Sequence, residues 1–284
     1  MHSAAVITSA FLLYAVFPVL TQASDSPQKL DASLRLEAQG DSTETRSYAV
    51  DVNLAISTKD MLSLRAAHSS TPIDTDTITT TQYVVGWTTR ALTPYSIDLS
   101  YEYWGNNNEL KIQTAHAGLF WEGAIWSLGI NLDYRTITFT SRPIGMLQRH
   151  IDTDDYAYGP ELRYFRNSWD WRIYAMQYRY SKDPSRFDTP RAIRLLGSRL
   201  TNISSNLNDW RVGTEVHYQF SAVRTGLTYQ HVVSAVNQLT AEVYSVVTIF
   251  DLPQNLSLEL EAGSSTLENN NSIHFALIAL GLSF

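Results

Sequence analysis

The sequence contains no cysteine, and that one absence closes several routes at once. It excludes a disulfide scaffold, a cysteine-liganded zinc site, a thiol nucleophile and a lipid-modified N-terminal cysteine. An oxidising compartment stays open. Charge is scarce as well: Asp, Glu, Lys and Arg make up 17% of the 284 residues, well below the usual quarter. Positive charge is the scarcer sign, with 21 Lys and Arg against 28 Asp and Glu, for a formal net charge of −7. A nucleic-acid binder would carry a basic patch or stripe, so this balance argues against one. Beyond residue 23 no apolar run approaches the roughly 20 residues that a membrane helix requires. Gly-rich phosphate loops, His–Glu zinc signatures and tandem repeats are missing too.

Aromatic residues occupy much of the space left by charge. Seven Trp, 16 Tyr and 10 Phe give 12% of the chain, and together with Thr, Leu and Val they favour strands. Length alone allows one large domain or two small ones.

The first residues indicate export. Residues 4–20 (AAVITSAFLLYAVFPVL) are uncharged and apolar, and Thr21-Gln22-Ala23 precedes the polar Ser24-Asp25-Ser26. This reads as a signal peptide over 1–23, cut after Ala23, although the positive n-region is poor; an N-terminal membrane anchor is the alternative. The expected organisation is residues 24–284 as a single domain.

The informative pattern is alternation. In 95–103, Tyr95, Ile97, Leu99, Tyr101 and Tyr103 interleave with Ser96, Asp98, Ser100 and Glu102. Successive strand side chains point to opposite faces, so this segment has one greasy and one charged face. The period recurs in 47–57, 126–135, 210–220 and 256–262. Weaker copies lie near 33–39, 61–69, 79–90, 109–121, 156–165, 169–180, 222–231, 238–250 and 273–284. The segments 109–121 and 169–180 alternate least cleanly, as a bulge would produce. Fourteen strands result, with 12 or 16 as alternatives.

Short and long connections then alternate if 181–208 is one loop, which puts both termini on the periplasmic side of an outer-membrane barrel. A soluble β-sandwich is the competing all-β solution. Three features oppose it. Runs of about 9–12 residues match a membrane-spanning strand better than the common strand of about 5–6. Tyr and Trp lie near strand ends on the apolar face, where interfacial girdles belong. The opposite face is too charged for a sandwich core. A closed barrel satisfies every backbone group while facing grease outward, so the expected fold is all-β, a transmembrane antiparallel up-and-down barrel.

The sequence ends Ile278-Ala279-Leu280-Gly281-Leu282-Ser283-Phe284. This resembles the C-terminal β-signal of Gram-negative outer-membrane proteins, which the barrel assembly machinery recognises. The motif covers the last strand and marks the superfamily; size and strand count resemble its monomeric 14-stranded channels. The resemblance implies an integral outer-membrane monomer in contact with lipid and lipopolysaccharide, its last strand read by the assembly machinery. About ten residues separate the cleavage site from the first strand, too few for a folded plug or a periplasmic domain. That departs from the long-chain fatty-acid transporters, which use an N-terminal hatch.

With the apolar face outward, the lumen can be read from the sequence. Its expected lining on the first five strands is Arg35, Glu37, Asp51, Arg65, Asp98 and Glu102. Further along come Asp133, Arg135, Glu161 and Arg163, then Arg211, Glu215, His217 and Arg224. Lys111, Glu242, Glu259 and Glu261 are placed inward by the same parity. The signs are mixed with a slight acid excess. Fourteen strands lie nearer the width of an aqueous channel than that of a filled barrel, so the expected function is passive diffusion of small polar solutes. The alternative is that these charges pair across neighbouring strands and rigidify a narrow lumen.

Loop 181–208 carries Arg186, Arg191, Arg194 and Arg199, and Thr189-Pro190 with Gly197 delimits a short helix. It either folds into the mouth as a gate facing Glu102, Asp133, Glu161 and Glu215, leans on the rim toward lipopolysaccharide phosphates, or is a plain surface loop. Asp152-Thr153-Asp154-Asp155 in the expected loop 141–155 reads as a solvated acidic turn, and it lacks the spacing of a calcium loop. No metal site and no cofactor are expected.

Catalytic signals are weak. Rim-active lipid enzymes of this superfamily resemble one another in a nucleophile or carboxylate beside a histidine; His116 and His231 have no serine so placed. His217, between Glu215 and Gln219, has an acid–base neighbour but reads better as a polar lumen residue. No catalytic residue is assigned. A lipid-active enzyme and a structural or secretion-partner barrel without a conducting lumen remain as alternatives.

Overall fold

The structure, a computed structural model, describes residues 31–73, 76–106, 110–141, 149–184, 207–236, 238–268 and 272–284. Residues 1–23, expected to be a signal peptide, and the four loop arginines lie outside these residues. Fourteen strands run in sequence order: β1 Ala32–Asp41, β2 Arg46–Ala55, β3 Asp60–Ile73, β4 Asp76–Thr89, β5 Tyr95–Gly105, β6 Leu110–Glu122 and β7 Trp126–Ser141. The second half continues as β8 Arg149–Arg166, β9 Trp169–Tyr180, β10 Asn208–Phe220, β11 Val223–Ser234, β12 Thr240–Leu252, β13 Leu256–Leu267 and β14 Ser272–Ser283. Each strand pairs antiparallel with its sequence neighbours, and β1 pairs with β14 to close the barrel. The closing seam is in full register from Ser33↔Ser283 to Asp41↔Phe275. Closure leaves no open edge, the condition a sheet must meet in hydrocarbon.

At the end that carries both termini, connections are two to five residues long. Asn167 there adopts φ 53 in a two-residue turn, a conformation asparagine tolerates better than most side chains. The opposite, loop end departs from expectation. Strands extend into most of the spacers, so only 181–207 remains long. The largest extension is the β7–β8 hairpin, which reduces the expected loop 141–155 to 142–148. Asp152–Asp155 is therefore strand and not an acidic turn. Its alternation is hidden in the sequence because Asp152 and Asp154 point outward and Asp155 inward, so charge appears on both faces.

The uneven alternation of β6 and β9 does not come from bulges. Both keep a single register with their neighbours, and the register shift lies instead at Asn208–Trp210 of β10. The cause is aromatic and aliphatic inner faces: Ile112 and Phe120 on β6, and Tyr174, Met176 and Tyr178 on β9, all buried.

The outer face is an apolar belt. Leu99, Leu119, Leu128, Ile130 and Leu132 are among its exposed residues. Aromatic pairs bound it. Near the turns, Trp126 and Tyr164 lie 4.4 Å apart between ring centroids, and Trp169 and Tyr218 4.8 Å. Toward the loops, Tyr134 and Tyr156 are 5.0 Å apart, as are Tyr229 and Tyr244. Trp126 and Tyr134 are eight positions apart on β7, and so are Tyr156 and Tyr164 on β8. Eight residues at about 3.4 Å span about 27 Å along the strand, or about 21 Å when tilted by about 40°. That approaches the roughly 25 Å band of outer-membrane barrels.

Candidate functional site

Register and burial place all fourteen expected lumen residues on the inner face. Lys111 and Glu242 are not there. Lys111 alternates with the buried Ile112 and lies outward over the Tyr103 ring; Glu242 alternates with the buried Val243 and accepts from the Tyr244 hydroxyl at 2.7 Å. Both stand near the loop end, where outward strand positions reach the interface and polar residues no longer break the parity rule. His231 is also outward, stacked on Trp210 with its Nδ1 3.8 Å from Glu242.

The inner charges form three groups. On β13, β1, β2 and β3, Arg35 bridges Glu37 at 2.5 Å, Asp51 at 3.1 Å and Glu259 at 3.1 Å. Arg65 bridges the same Glu37 at 3.0 Å and Asp51 at 2.8 Å. Two guanidiniums are thus shared among three carboxylates across four strands. Side chains two strands apart reach one another only on the concave face.

The second group is buried at the β7–β8 extension. Arg135 and Asp155 are both fully buried, with Nε to Oδ1 at 2.9 Å and Nη2 to Oδ2 at 2.7 Å. The guanidinium also lies over the Tyr178 ring at 4.6 Å and donates to the Tyr180 hydroxyl at 3.2 Å. Directly beyond it is an apolar cluster of Trp104, Leu110, Ile112, Ile137, Phe139 and Leu207, joined by Val236. Leu207 and Val236 flank β10 and β11, whereas the others belong to β5, β6 and β7. The cluster therefore joins two separate sectors of the wall inside the loop-end mouth.

The third group lines a cavity of about 180 Å³. Glu161 accepts from Arg163 Nε at 2.5 Å, from Arg172 Nε and Nη2 at 2.9 Å each, and from Asn131 at 2.9 Å. Arg172 reaches Glu215 at 3.3 Å. On β6 and β7, His116 and Asp133 are joined at 2.6 Å. Two aromatic rings hold the arginines against the wall. Arg163 lies 4.6 Å from the Phe120 ring, and Arg172 4.8 Å from that of Tyr174. Each ring lies flat where the neighbouring strand has glycine: a Cβ at Gly129 would collide with Phe120, and one at Gly213 with Tyr174. Large side chains thus lie over glycines along the wall beside the cavity.

Asp133, Glu161 and Glu215, expected to face the loop arginines, already have partners in the wall, and Glu102 accepts from Gln82 at 2.6 Å. Nearer the turns, Arg224 bridges Asp170 at 2.7 Å and reaches His217 Nδ1 at 3.3 Å. Among the described residues that is the hydrogen bond His217 makes, and none joins it to Glu215. The sequence reading missed Asp155, assigned to a turn, and Arg172, on the unclear strand β9. It also passed over His116 as a lumen residue, because a histidine partner was sought in serine. Period two anchored at the wall residue Tyr174 would have found Arg172. Among the described residues no group of His, Asp and Glu is arranged to hold a metal ion.

No protein-family model and no curated protein matches the chain. Solved structures do. A loop-deletion form of OmpT, an outer-membrane protein of Vibrio cholerae, aligns over 90% of this chain and 98% of that one, with TM-score 0.51 and 9% identity. CdiB from Acinetobacter baumannii aligns over 90% of this chain and 60% of that one, at TM-score 0.50 and 11% identity. The NanC porin aligns over 88% and 98% respectively, at TM-score 0.47 and 10% identity. The fold is that of the outer-membrane β-barrels.

Proposed function

We propose that the chain is a porin-like channel of the Gram-negative outer membrane, passing small hydrophilic solutes by diffusion. The observation that carries this reading is the third lumen group. Its arginines and rings lie along the wall over Gly129 and Gly213, bordering open space instead of filling it. Mixed charge held at fixed wall positions shapes the field for a passing solute. In this reading residues 1–23 are removed on export, the loop end faces outward toward lipopolysaccharide, and the assembly machinery reads the last strand.

One observation favours a second reading, a barrel that does not conduct. The apolar cluster from Trp104 to Val236 joins opposing sectors at the loop-end mouth, and an apolar constriction closes a pore by dewetting. Its member Leu207 is the last residue of the 181–207 connection, so movement of that segment would move the constriction; this is the gating role proposed for the loop and its four arginines. Planar-bilayer recording of the purified mature protein decides. Discrete conductance steps in salt are expected, with closures that become rarer when 186–204 is deleted. Silence in both proteins would refute the channel.

A further inference from the structure

Two opposite charges in the third lumen group have no partner among the described residues. Asp98, inward on β5, makes no hydrogen bond or ion pair among the described residues. Arg211, inward on β10, makes no ion pair among them, and its buried Nε has no hydrogen-bond partner. Its guanidinium lies 5.6 Å from the Tyr174 ring. Every other charge around this cavity is matched: Asp133 by His116, and Glu161 by Arg163 and Arg172. The two unmatched charges line the same 180 Å³ space. They enter it from strands five apart, with the acidic wall on β5–β7 and the arginines on β8–β10.

We propose that this cavity is a binding site for a small zwitterion, an α-amino acid, with its ammonium on Asp98 and its carboxylate on Arg211. A buried donor without a partner carries a desolvation cost that a ligand oxygen removes. A guanidinium backed by an aromatic ring recognises a planar carboxylate with two parallel hydrogen bonds. A lone carboxylate across the space accepts an ammonium. An anion alone would leave Asp98 unmatched, and a cation alone would leave Arg211 so. The matched pairs cannot take these roles, because Glu161 already accepts four hydrogen bonds. The volume sets the size: it is below the roughly 300 Å³ at which sites for drug-sized molecules begin, so the occupant has few heavy atoms.

The proposal names a solute class for the channel, and rests on that reading for passage but not for binding. The test uses the purified full-length mature barrel in detergent, titrated calorimetrically with L-alanine, propionate, ethylammonium and neutral propionamide. L-Alanine should bind at least about tenfold more tightly than either singly charged analogue, because each end loses a charged hydrogen bond. Asp98→Asn should reduce L-alanine to the propionate level, and Arg211→Gln to the ethylammonium level, in variants that keep the heat-modifiable gel shift of the folded barrel. Equal affinity for L-alanine and propionate in the unmodified protein would overturn the proposal without any variant. So would no heat with L-alanine. Salt conductance is measured in parallel: binding without conductance refutes the channel and keeps the site, and conductance without binding does the reverse.

Discussion

Replacing Asp155 alone should damage this barrel more than replacing Asp155 and Arg135 together. Both side chains are fully buried, and the carboxylate takes Nε and Nη2 of one guanidinium. In Asp155→Leu the guanidinium stays in place over Tyr178 but loses the charge that balances it. Removing one member of a buried pair costs about 3–5 kcal/mol, because the remaining charge is left uncompensated. Replacing both members by apolar residues of similar volume is often neutral, or stabilising by about 1–4 kcal/mol. The site suits that exchange, since the apolar cluster around Trp104 and Ile137 adjoins it. The assay is equilibrium urea unfolding of the barrel in lipid vesicles, followed by tryptophan emission. With a slope of about 3 kcal/mol per molar, the midpoint for Asp155→Leu should fall by roughly 1–1.7 M. Arg135→Met combined with Asp155→Leu should return to the parent midpoint or exceed it by up to about 1.3 M, given the same slope. If the single and double variants lose equally, the pair is not the balanced unit its geometry describes. If the single variant loses nothing, the guanidinium is not desolvated.

Trp104→Ala should cost about 3–5 kcal/mol as a large core truncation, yet raise single-channel conductance, because Trp104 is also part of the loop-end constriction; stability loss without larger conductance would remove the constriction reading. Gly129→Ala should push the Phe120 ring off the wall toward the lumen, lowering conductance while leaving the gel shift of the folded barrel intact, and the double variant Gly129→Ala/Phe120→Ala should restore it. Ile130→Arg places a charge on the exposed belt between the two girdles and should destabilise by about 2–4 kcal/mol, the cost near the bilayer midplane, whereas Thr138→Arg on the same strand, beyond the Tyr134 girdle, should cost about 0–1 kcal/mol by vesicle unfolding.

The barrel was legible in the sequence because its outer face answers to one solvent. Lipid demands an apolar side chain at every second position, so Tyr95 to Tyr103 or Trp126 to Tyr134 carry the period without interruption. The inner face answers to no such rule. It is charged around Arg35, aromatic at Tyr174 and aliphatic at Ile112, and where it becomes apolar the contrast between faces fades. This is why β6 and β9 were indistinct and Arg172 escaped notice. At the loop end the outer face also leaves the hydrocarbon, so parity fails in the other direction and puts Lys111 and Glu242 on the wrong side. Asp155 was lost for the same reason: three acids within four residues look like solvated turn, although one of them is sealed inside.

Which charges pair across strands was beyond the sequence. Neighbouring opposite charges on one strand, such as Arg35 with Glu37 and Arg163 with Glu161, do meet, and period two alone suggests them. But Arg35 also reaches Glu259 on the far side of the closing seam, a contact that depends on β1 meeting β14 in one particular register. A shift of that seam by two residues would keep every side chain on its proper face and still separate the two. The lumen's electrostatics are therefore a property of closure, which composition and period leave open. The same holds for Asp98 and Arg211. Each looks like one more charge on an alternating strand, and only the pairing pattern of the described residues shows that these two are left over there, lining one space from β5 and β10.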